Sequence, residues 1–174
     1  MDLNNQTRQY VLKMLQLDHK RLNDYFVQFD QSYLPAHKKS FAMTALNELA
    51  VHAHLEEEIF YPYVKTAKPS VAVLIDRSVR QHASIDSLIR TLDLDGDPDL
   101  FEKQFLELAD KIKDHIRFEE LQIFVQLADV DLGAIGPVLD KRRDDLMKRE
   151  SAGNEHQFTP QTNLYASEDQ QKSA

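Results

Sequence analysis

Residues 45–63 read ALNELAVHAHLEEEIFYPY, a segment that combines helical periodicity with ionisable side chains on an apolar face. The residues that recur at steps of three and four are Ala45, Leu49, His52, Glu56, Ile59 and Tyr63. This spacing places all of them on one face of an α-helix, and residues four apart lie one turn from each other. The segment therefore predicts an amphipathic helix that carries His52 and Glu56 on its inner face.

Three other segments show the same periodicity, each with one histidine near its middle. The first comprises Leu12, Leu15, His19, Leu22, Phe26 and Phe29. The next comprises Ile75, Val79, His82, Ile85, Ile89 and Leu92. The last comprises Phe101, Phe105, Leu108, Ile112, His115, Glu119 and Ile123. Four such helices joined by short connections predict an all-α fold, an antiparallel four-helix bundle.

The helix ends and the C-terminal region complete the predicted architecture. Asp97 followed by Pro98 is typical of an N-cap and a first helical residue, so the fourth helix is expected to begin there. A short fifth helix is predicted after Gly136-Pro137. Apolar residues become sparse beyond Ser151, so we expect residues 1–150 to form the bundle and residues 151–174 to form a flexible tail.

The composition limits the function. The chain has 174 residues, 42% of them hydrophobic, which suits one folded domain. Its net charge of −8 argues against a nucleic-acid partner, which would require clustered Lys and Arg. The absence of cysteine excludes disulfides and thiolate metal sites. No apolar run is long enough for a membrane helix, and the first residues do not resemble a secretory signal, so we expect a cytoplasmic protein.

The predicted inner faces together carry an unusual set of polar residues. Each of the four has one histidine, and two also have a glutamate four residues later. A carboxylate in a bundle core is costly unless it has a partner, a proton or a metal. Four helices that send these groups inward at one depth can form a dinuclear metal site. The candidate metal ligands are His19, His52, Glu56, His82, His115 and Glu119.

A second reading of the 52–58 segment uses His54 and Glu58 instead of His52 and Glu56. The helix face that contains His54 and Glu58 also contains Asn47, Val51 and Tyr61, which is less apolar than the alternative face. Periodicity therefore favours His52 and Glu56 as the inner pair. We interpret His54 and Glu58 as a solvated pair on an outer face.

The donor set suits particular metals. Imidazole and carboxylate without thiolate favour iron, manganese or zinc. Six side chains are too many for one tetrahedral zinc ion and suit two octahedral ions. With both glutamates and an oxo or hydroxo group as bridges, the ligands supply about ten of roughly twelve bonds. About one position at each metal then stays open for a small molecule.

The ordered set resembles the hemerythrin-like family, the HHE cation-binding domain. The resemblance rests on His19, on His52-x-x-x-Glu56-Glu57 leading into Phe60-Tyr61-Pro62, on His82, and on His115-x-x-x-Glu119-Glu120. It extends over about residues 10–128. The family implies a four-helix bundle with a non-heme di-iron centre. Its members bind, sense or react with oxygen, nitric oxide or peroxide, or respond to iron.

The chain departs from the oxygen-carrying members of that family at one position. Those members have a further histidine one turn after the third-helix histidine, where this chain has Asp86. Asp86 is open to three interpretations: a third carboxylate ligand, an acceptor for a ligand's hydrogen, or a solvent-facing residue. The difference disfavours simple reversible oxygen carriage. The absence of cysteine disfavours the iron–sulfur repair role of members that add a Cys-bearing segment.

Three functional hypotheses follow. The first is a di-iron protein that takes a small diatomic or peroxide ligand, with enzyme and sensor both left open. Another is a helical protein-interaction module with a structural or vestigial metal site, acting through its acidic surface or through the basic run Lys141-Arg142-Arg143. We interpret that run as a solvated face or a docking surface. Ferritin-like oxidase chemistry is less favoured, because such sites have more Glu and less His.

Three tyrosines near the candidate ligands are core or rim residues that could reach the site: Tyr25, Tyr61 and Tyr63.

Overall fold

The computed structural model describes residues 3–151, with side chains for residues 10–148, and this part of the chain is helical without any strand. The helices are α1 (Leu3–Gln31), α2 (Pro35–Leu55), α3 (Tyr61–Ala67), α4 (Ala72–Ile89), α5 (Pro98–Phe118) and α6 (Gly136–Ser151). Two π-helical turns, Glu56–Phe60 and Glu119–Ile123, directly follow α2 and α5. Short 3-10 helices span Pro69–Val71, Phe124–Leu127 and Gly133–Ile135. The predicted tail lies outside the described residues, except for Ser151.

Contacts between the helices show that neighbours run in opposite directions. From Arg21 to Phe29 along α1, the contacted residues on α2 go from Glu48 back to Lys38. The same reversal relates α4 to α5, α1 to α5 and α2–α3 to α4. The prediction of an antiparallel four-helix bundle is confirmed, with α1, α2–α3, α4 and α5 as its members. Within residues 3–151, no helix combines the length and apolar character that crossing a bilayer requires.

The helix ends follow local sequence chemistry. Pro35 is the first residue of α2, where its missing N–H costs nothing. The Asp97 side chain accepts a hydrogen bond from the backbone N–H of Asp99 at 2.9 Å, and Pro98 begins α5. The predicted N-cap is therefore confirmed. The predicted second and fourth helices are interrupted, however, because a π-helical turn begins at Glu56 and another at Glu119.

Buried apolar side chains form two separate cores at different heights in the bundle. One core contains Leu15, Leu55, Phe60, Ile75 and Leu127. The other contains Leu22, Phe29, Leu49, Phe105 and Ile112. On α1, His19 lies between Leu15 of the first core and Leu22 of the second. The histidines of the other three bundle helices likewise lie between residues of the two cores. A polar layer therefore separates the two cores.

Helix α6 packs outside the bundle, against α1 and α2. Its Leu139 and Leu146 are buried in the first core. The Tyr10 hydroxyl on α1 donates to the carboxylate of Asp140 at 2.7 Å. The predicted fifth helix is therefore present, and it covers the outer side of the helices that carry His19 and His52.

Replacing Asp97 with alanine is expected to lower the free energy of unfolding by about 1 kcal/mol, because the first turn of α5 loses the acceptor for one of its unpaired N–H groups. The matched control is Asp110→Ala, which removes an exposed carboxylate from the middle of α5. Urea unfolding of both variants measures the difference. Equal stabilities for the two variants would contradict the role of the cap.

Candidate metal centre

The six predicted ligands converge in the polar layer between the two cores. They are His19, His52, Glu56, His82, His115 and Glu119. Each is at most 4% exposed. The helices α1, α2, α4 and α5 each supply one histidine, and each π-helical turn supplies one glutamate as its first residue. The polar layer therefore contains imidazoles from all four bundle members and carboxylates from two of them.

The histidines form two pairs in which the Nε2 atoms face each other. Nε2 of His19 lies 3.2 Å from Nε2 of His52. Nε2 of His82 lies 2.8 Å from Nε2 of His115. Two nitrogen lone pairs at these distances repel each other, so each pair needs a shared proton or a cation between its rings.

Each glutamate contacts one histidine from each pair. Oε2 of Glu56 lies 3.2 Å from Nε2 of His52 and 3.5 Å from Nε2 of His82. Oε2 of Glu119 lies 3.4 Å from Nε2 of both His19 and His115. The two carboxylates thus connect the two histidine pairs, and each is placed where it could be shared between two cations.

The outer nitrogen of every histidine has an acceptor. The Nδ1 contacts are His19 to Glu120 at 2.8 Å, His82 to Glu57 at 2.7 Å, His52 to Asp18 at 3.4 Å and His115 to Gln81 at 3.3 Å. Because carboxylate and amide oxygens only accept, each Nδ1–H donates, and the lone pair of a neutral ring then lies on Nε2. In its neutral form, each of the four rings therefore presents to the interior a nitrogen that could bind a metal, with an outer partner that fixes the ring.

These outer partners follow the internal repeat of the sequence. Glu57 and Glu120 are the second glutamates of the two His-x-x-x-Glu-Glu motifs. Glu57 accepts from the histidine of α4, and Glu120 accepts from the histidine of α1. Asp18 and Gln81 directly precede the histidines of α1 and α4, and each binds the histidine on the next bundle helix. Sequence reasoning did not assign a role to any of the four. The Glu-Glu repeat could have indicated two of them, but nothing in the sequence marked Asp18 or Gln81.

Two carboxylate oxygens of this cluster have no hydrogen-bond donor. Oε1 of Glu56 and Oε2 of Glu119 are fully buried without one. A buried carboxylate oxygen without a donor costs free energy. Together with the facing nitrogen lone pairs, these oxygens fit a site that is completed by cations. The atoms that could share a cation fall into two overlapping groups, which have Glu56 in common.

A family model described as the hemerythrin HHE cation-binding domain matches residues 11–127. The chain belongs to the hemerythrin HHE family. A curated protein from Nostoc sp. (strain PCC 7120 / SAG 25.82 / UTEX 2576) described as a DNA nickase is 24% identical over 116 residues, which are 66% of this chain and 32% of that protein. The chain thus spans about a third of the length of that relative. The comparison with solved structures finds no match.

A buried tyrosine lies between the two glutamates of the HHE domain. The Tyr61 hydroxyl donates to Oε2 of Glu56 at 2.9 Å and is also within hydrogen-bonding distance of Oε1 of Glu119. Burial and then the charges of Glu119 and Glu56 raise the pKa of Tyr61 well above its usual value of 10. The hydroxyl therefore keeps its proton and remains a donor inside the site. The Ser78 hydroxyl donates to the same oxygen of Glu119 at 3.3 Å.

The π-helical turns place the glutamates of the HHE domain. Each turn begins at the glutamate of the cluster, four residues after the histidine of the preceding helix. Single π-helical turns occur often at functional sites, because they change the rotation of the residues that follow. Tyr61 directly follows the first of these turns, and its hydroxyl contacts Glu56, five residues earlier.

The charges of the cluster are unequally distributed over its histidines. Burial lowers the pKa of His52, but Glu56 and Asp18 outweigh it and raise the pKa to about 10. Burial lowers the pKa of His115 to about 3, despite the opposing charge of Glu119. Burial also acts to raise the pKa of Glu119, yet the surrounding imidazoles, His115 foremost, hold that pKa well below its usual range. Glu119 is therefore ionised, as a metal-binding carboxylate must be.

The structure places His54 and Glu58 away from the cluster. Both are about 30% exposed, and Nδ1 of His54 lies 3.9 Å from Oε1 of Glu58. Glu58 instead accepts two hydrogen bonds from Arg142 of α6, at 2.7 and 2.8 Å. The pair lies on the face covered by α6, so it is less solvated than the predicted pair on an outer face.

Asp86 and the other two tyrosines lie outside the cluster. Asp86 is only 7% exposed, which is inconsistent with a solvent-facing residue, and it belongs to neither group of atoms that could share a cation. Burial raises the pKa of Asp86 to about 6, with His82 opposing and Glu57 adding to the shift. Tyr25 packs against the second core, and the Tyr63 hydroxyl donates to the carbonyl oxygen of Asp131 at 2.6 Å.

Proposed function

We propose that this HHE domain binds two iron ions, one at His19 and His52 and one at His82 and His115, with Glu56 and Glu119 bridging them. The observation that supports this proposal is the contact of each glutamate with one histidine of each pair. The fully buried carboxylate oxygens without donors support it independently. The resulting centre serves to bind, sense or react with oxygen, nitric oxide or peroxide.

The donor chemistry favours iron over the alternatives. The set contains imidazole nitrogens, which magnesium and calcium do not select, and it lacks the thiolates that mark many structural zinc sites. With both glutamates and an oxo or hydroxo group shared, each ion would have about five donors, one more than four-coordinate zinc uses. Two carboxylates also offset part of the charge of two divalent ions, which lowers the cost of burying them.

The protein residues determine which small molecules can act there. A di-iron centre with an oxo or hydroxo bridge supplies electrons and an open coordination position when it is bound. The Tyr61 hydroxyl supplies a hydrogen bond within the site. Aromatic rings restrict water: Phe124 stacks on His19 with ring centroids 5.8 Å apart, and Phe60 packs against Phe124 at 5.8 Å. A site this enclosed suits a diatomic molecule or peroxide rather than a larger substrate.

The first test is the metal content of aerobically purified protein, combined with its visible spectrum. We expect about two iron ions per chain, with absorption bands that change on reduction and on exposure to nitric oxide. Titration of metal-free protein with ferrous, manganous and zinc ions then compares the three metals directly. A helical protein that holds no metal and does not take up ferrous iron would contradict the proposal. Metal binding without any spectral response to reduction would instead support a structural role.

A further inference from the structure

The internal repeat makes the centre nearly symmetric, and one pair of positions departs from that symmetry. Asp18 and Gln81 are equivalent residues that receive the Nδ1–H of His52 and His115, respectively. One is a carboxylate and the other is a neutral amide. A carboxylate that accepts from a ligating histidine makes the imidazole a stronger ligand and fixes the orientation of its ring. The His19–His52 side of the centre therefore depends on Asp18 in a way that the opposite side does not.

Asp18 is buried, and its orientation depends on two arginines. Arg21, one turn further along α1, contacts Oδ1. Arg143 of α6 donates to Oδ2 at 2.6 Å, and the same Oδ2 faces Nδ1 of His52 at 3.4 Å. Burial raises the pKa of Asp18, but the hydrogen bonds from His52 and Arg143 outweigh that effect and lower it. The arginine from α6 thus contacts the very oxygen that serves the histidine.

We propose that Arg143 is a positioning residue for the metal centre, acting through Asp18 to hold the His52 ring with Nε2 toward the interior. This inference rests on the proposed function. It assigns a role to α6, which lies outside the family match at residues 11–127. For Arg142 and Arg143, it also replaces the interpretation of the basic run as a solvated face or docking surface, since both pair with carboxylates of the bundle.

The chain offers a matched control on the same helix. Arg142 has 25% side-chain exposure and Arg143 has 16%, and both pair with a carboxylate of the bundle. The partner of Arg142 is Glu58, which lies outside the metal cluster. Arg142→Met therefore removes an equivalent contact between α6 and the bundle without affecting Asp18. Any loss that comes only from weaker docking of α6 should be the same in both variants.

The decisive experiment compares Arg143→Met, Arg142→Met and the wild-type full chain by chelator competition for iron. In Arg143→Met, we expect the dissociation constant of one of the two ions to rise about tenfold, as is typical when the outer partner of a ligating histidine is disturbed. The dissociation constant of the other ion in Arg143→Met should stay within about twofold of wild type. Both dissociation constants in Arg142→Met should also stay within about twofold of wild type. Arg143→Lys, which keeps a cation for Asp18, should recover most of the loss. Equal weakening in Arg142→Met and Arg143→Met would overturn the inference.

A measurement on metal-free protein separates this inference from the proposed function. At constant pH, the ring-nitrogen NMR signals of His52 should shift in Arg143→Met but not in Arg142→Met, while those of His115 should stay unchanged in both. Unchanged His52 signals in Arg143→Met would refute the positioning role even if the wild type binds iron. Conversely, wild-type protein that binds no iron would refute the proposed function and the positioning of a metal ligand together, whatever the NMR signals show.

Discussion

Replacing Glu56 with alanine is expected to lower the bound iron from about two ions per chain to about one or none. The substitution removes the carboxylate that contacts both His52 and His82, so the two histidine pairs lose the oxygen donor that the π-helical turn after α2 supplies to both. Loss of a shared ligand affects both ions, because each then depends on the remaining bridge. Elemental analysis and the visible spectrum of the purified variant measure the result. Glu119→Ala should have the same effect, since Glu119 connects the two pairs from the opposite side.

The matched control for this prediction is His54→Ala. His54 lies on the same helix, two residues from His52, but it is outside the cluster. The His54→Ala variant should retain about two iron ions per chain. Full iron content in Glu56→Ala would contradict the ligand assignment. Loss of iron in His54→Ala would instead favour the alternative reading, in which His54 and Glu58 face the metals.

The largest effect on stability is expected from Phe105→Ala. Phe105 is fully buried in the second core, with its ring centroid 4.4 Å from that of Phe29 and 5.9 Å from that of Phe26. Removal of a buried phenyl ring loses its transfer free energy and leaves a cavity that the rigid helices cannot fill. The free energy of unfolding should therefore fall by about 3–5 kcal/mol. Urea unfolding monitored by circular dichroism measures this loss.

Tyr33→Ala is the control for the core prediction, because Tyr33 is 96% exposed and its removal should hardly change stability. The two-core arrangement adds a second expectation. Since the candidate metal ligands lie in the polar layer outside the second core, folded Phe105→Ala protein should still bind about two iron ions per chain if the proposed centre is correct. If Phe105→Ala lowers the free energy of unfolding by less than about 1 kcal/mol, the Phe105 ring is not closely packed in the second core.

The elements and their inner faces were predictable because both depend on local sequence. A repeat of 3.6 residues per turn determines which residues share a helix face, and four such segments with short connections leave few alternatives to a bundle. The periodicity of residues 45–63 also selected His52 and Glu56 over His54 and Glu58, and the structure brings the first pair, not the second, into the cluster. The same reasoning could not reveal the π-helical turns, because a single added residue within a turn leaves no distinct pattern in the sequence.

Local spacing along the chain defines which residues face inward, whereas the packing of the helices defines which of those residues meet. The helical spacing predicted that His19, His52, His82 and His115 lie on inner faces, but a face has no partner until the helices pack. The pairing of His19 with His52, and the reach of Arg143 to Asp18 across 125 positions of the chain, depend on how each helix is rotated about its axis. Those rotations are set by the combined packing of two apolar cores, which no local pattern contains.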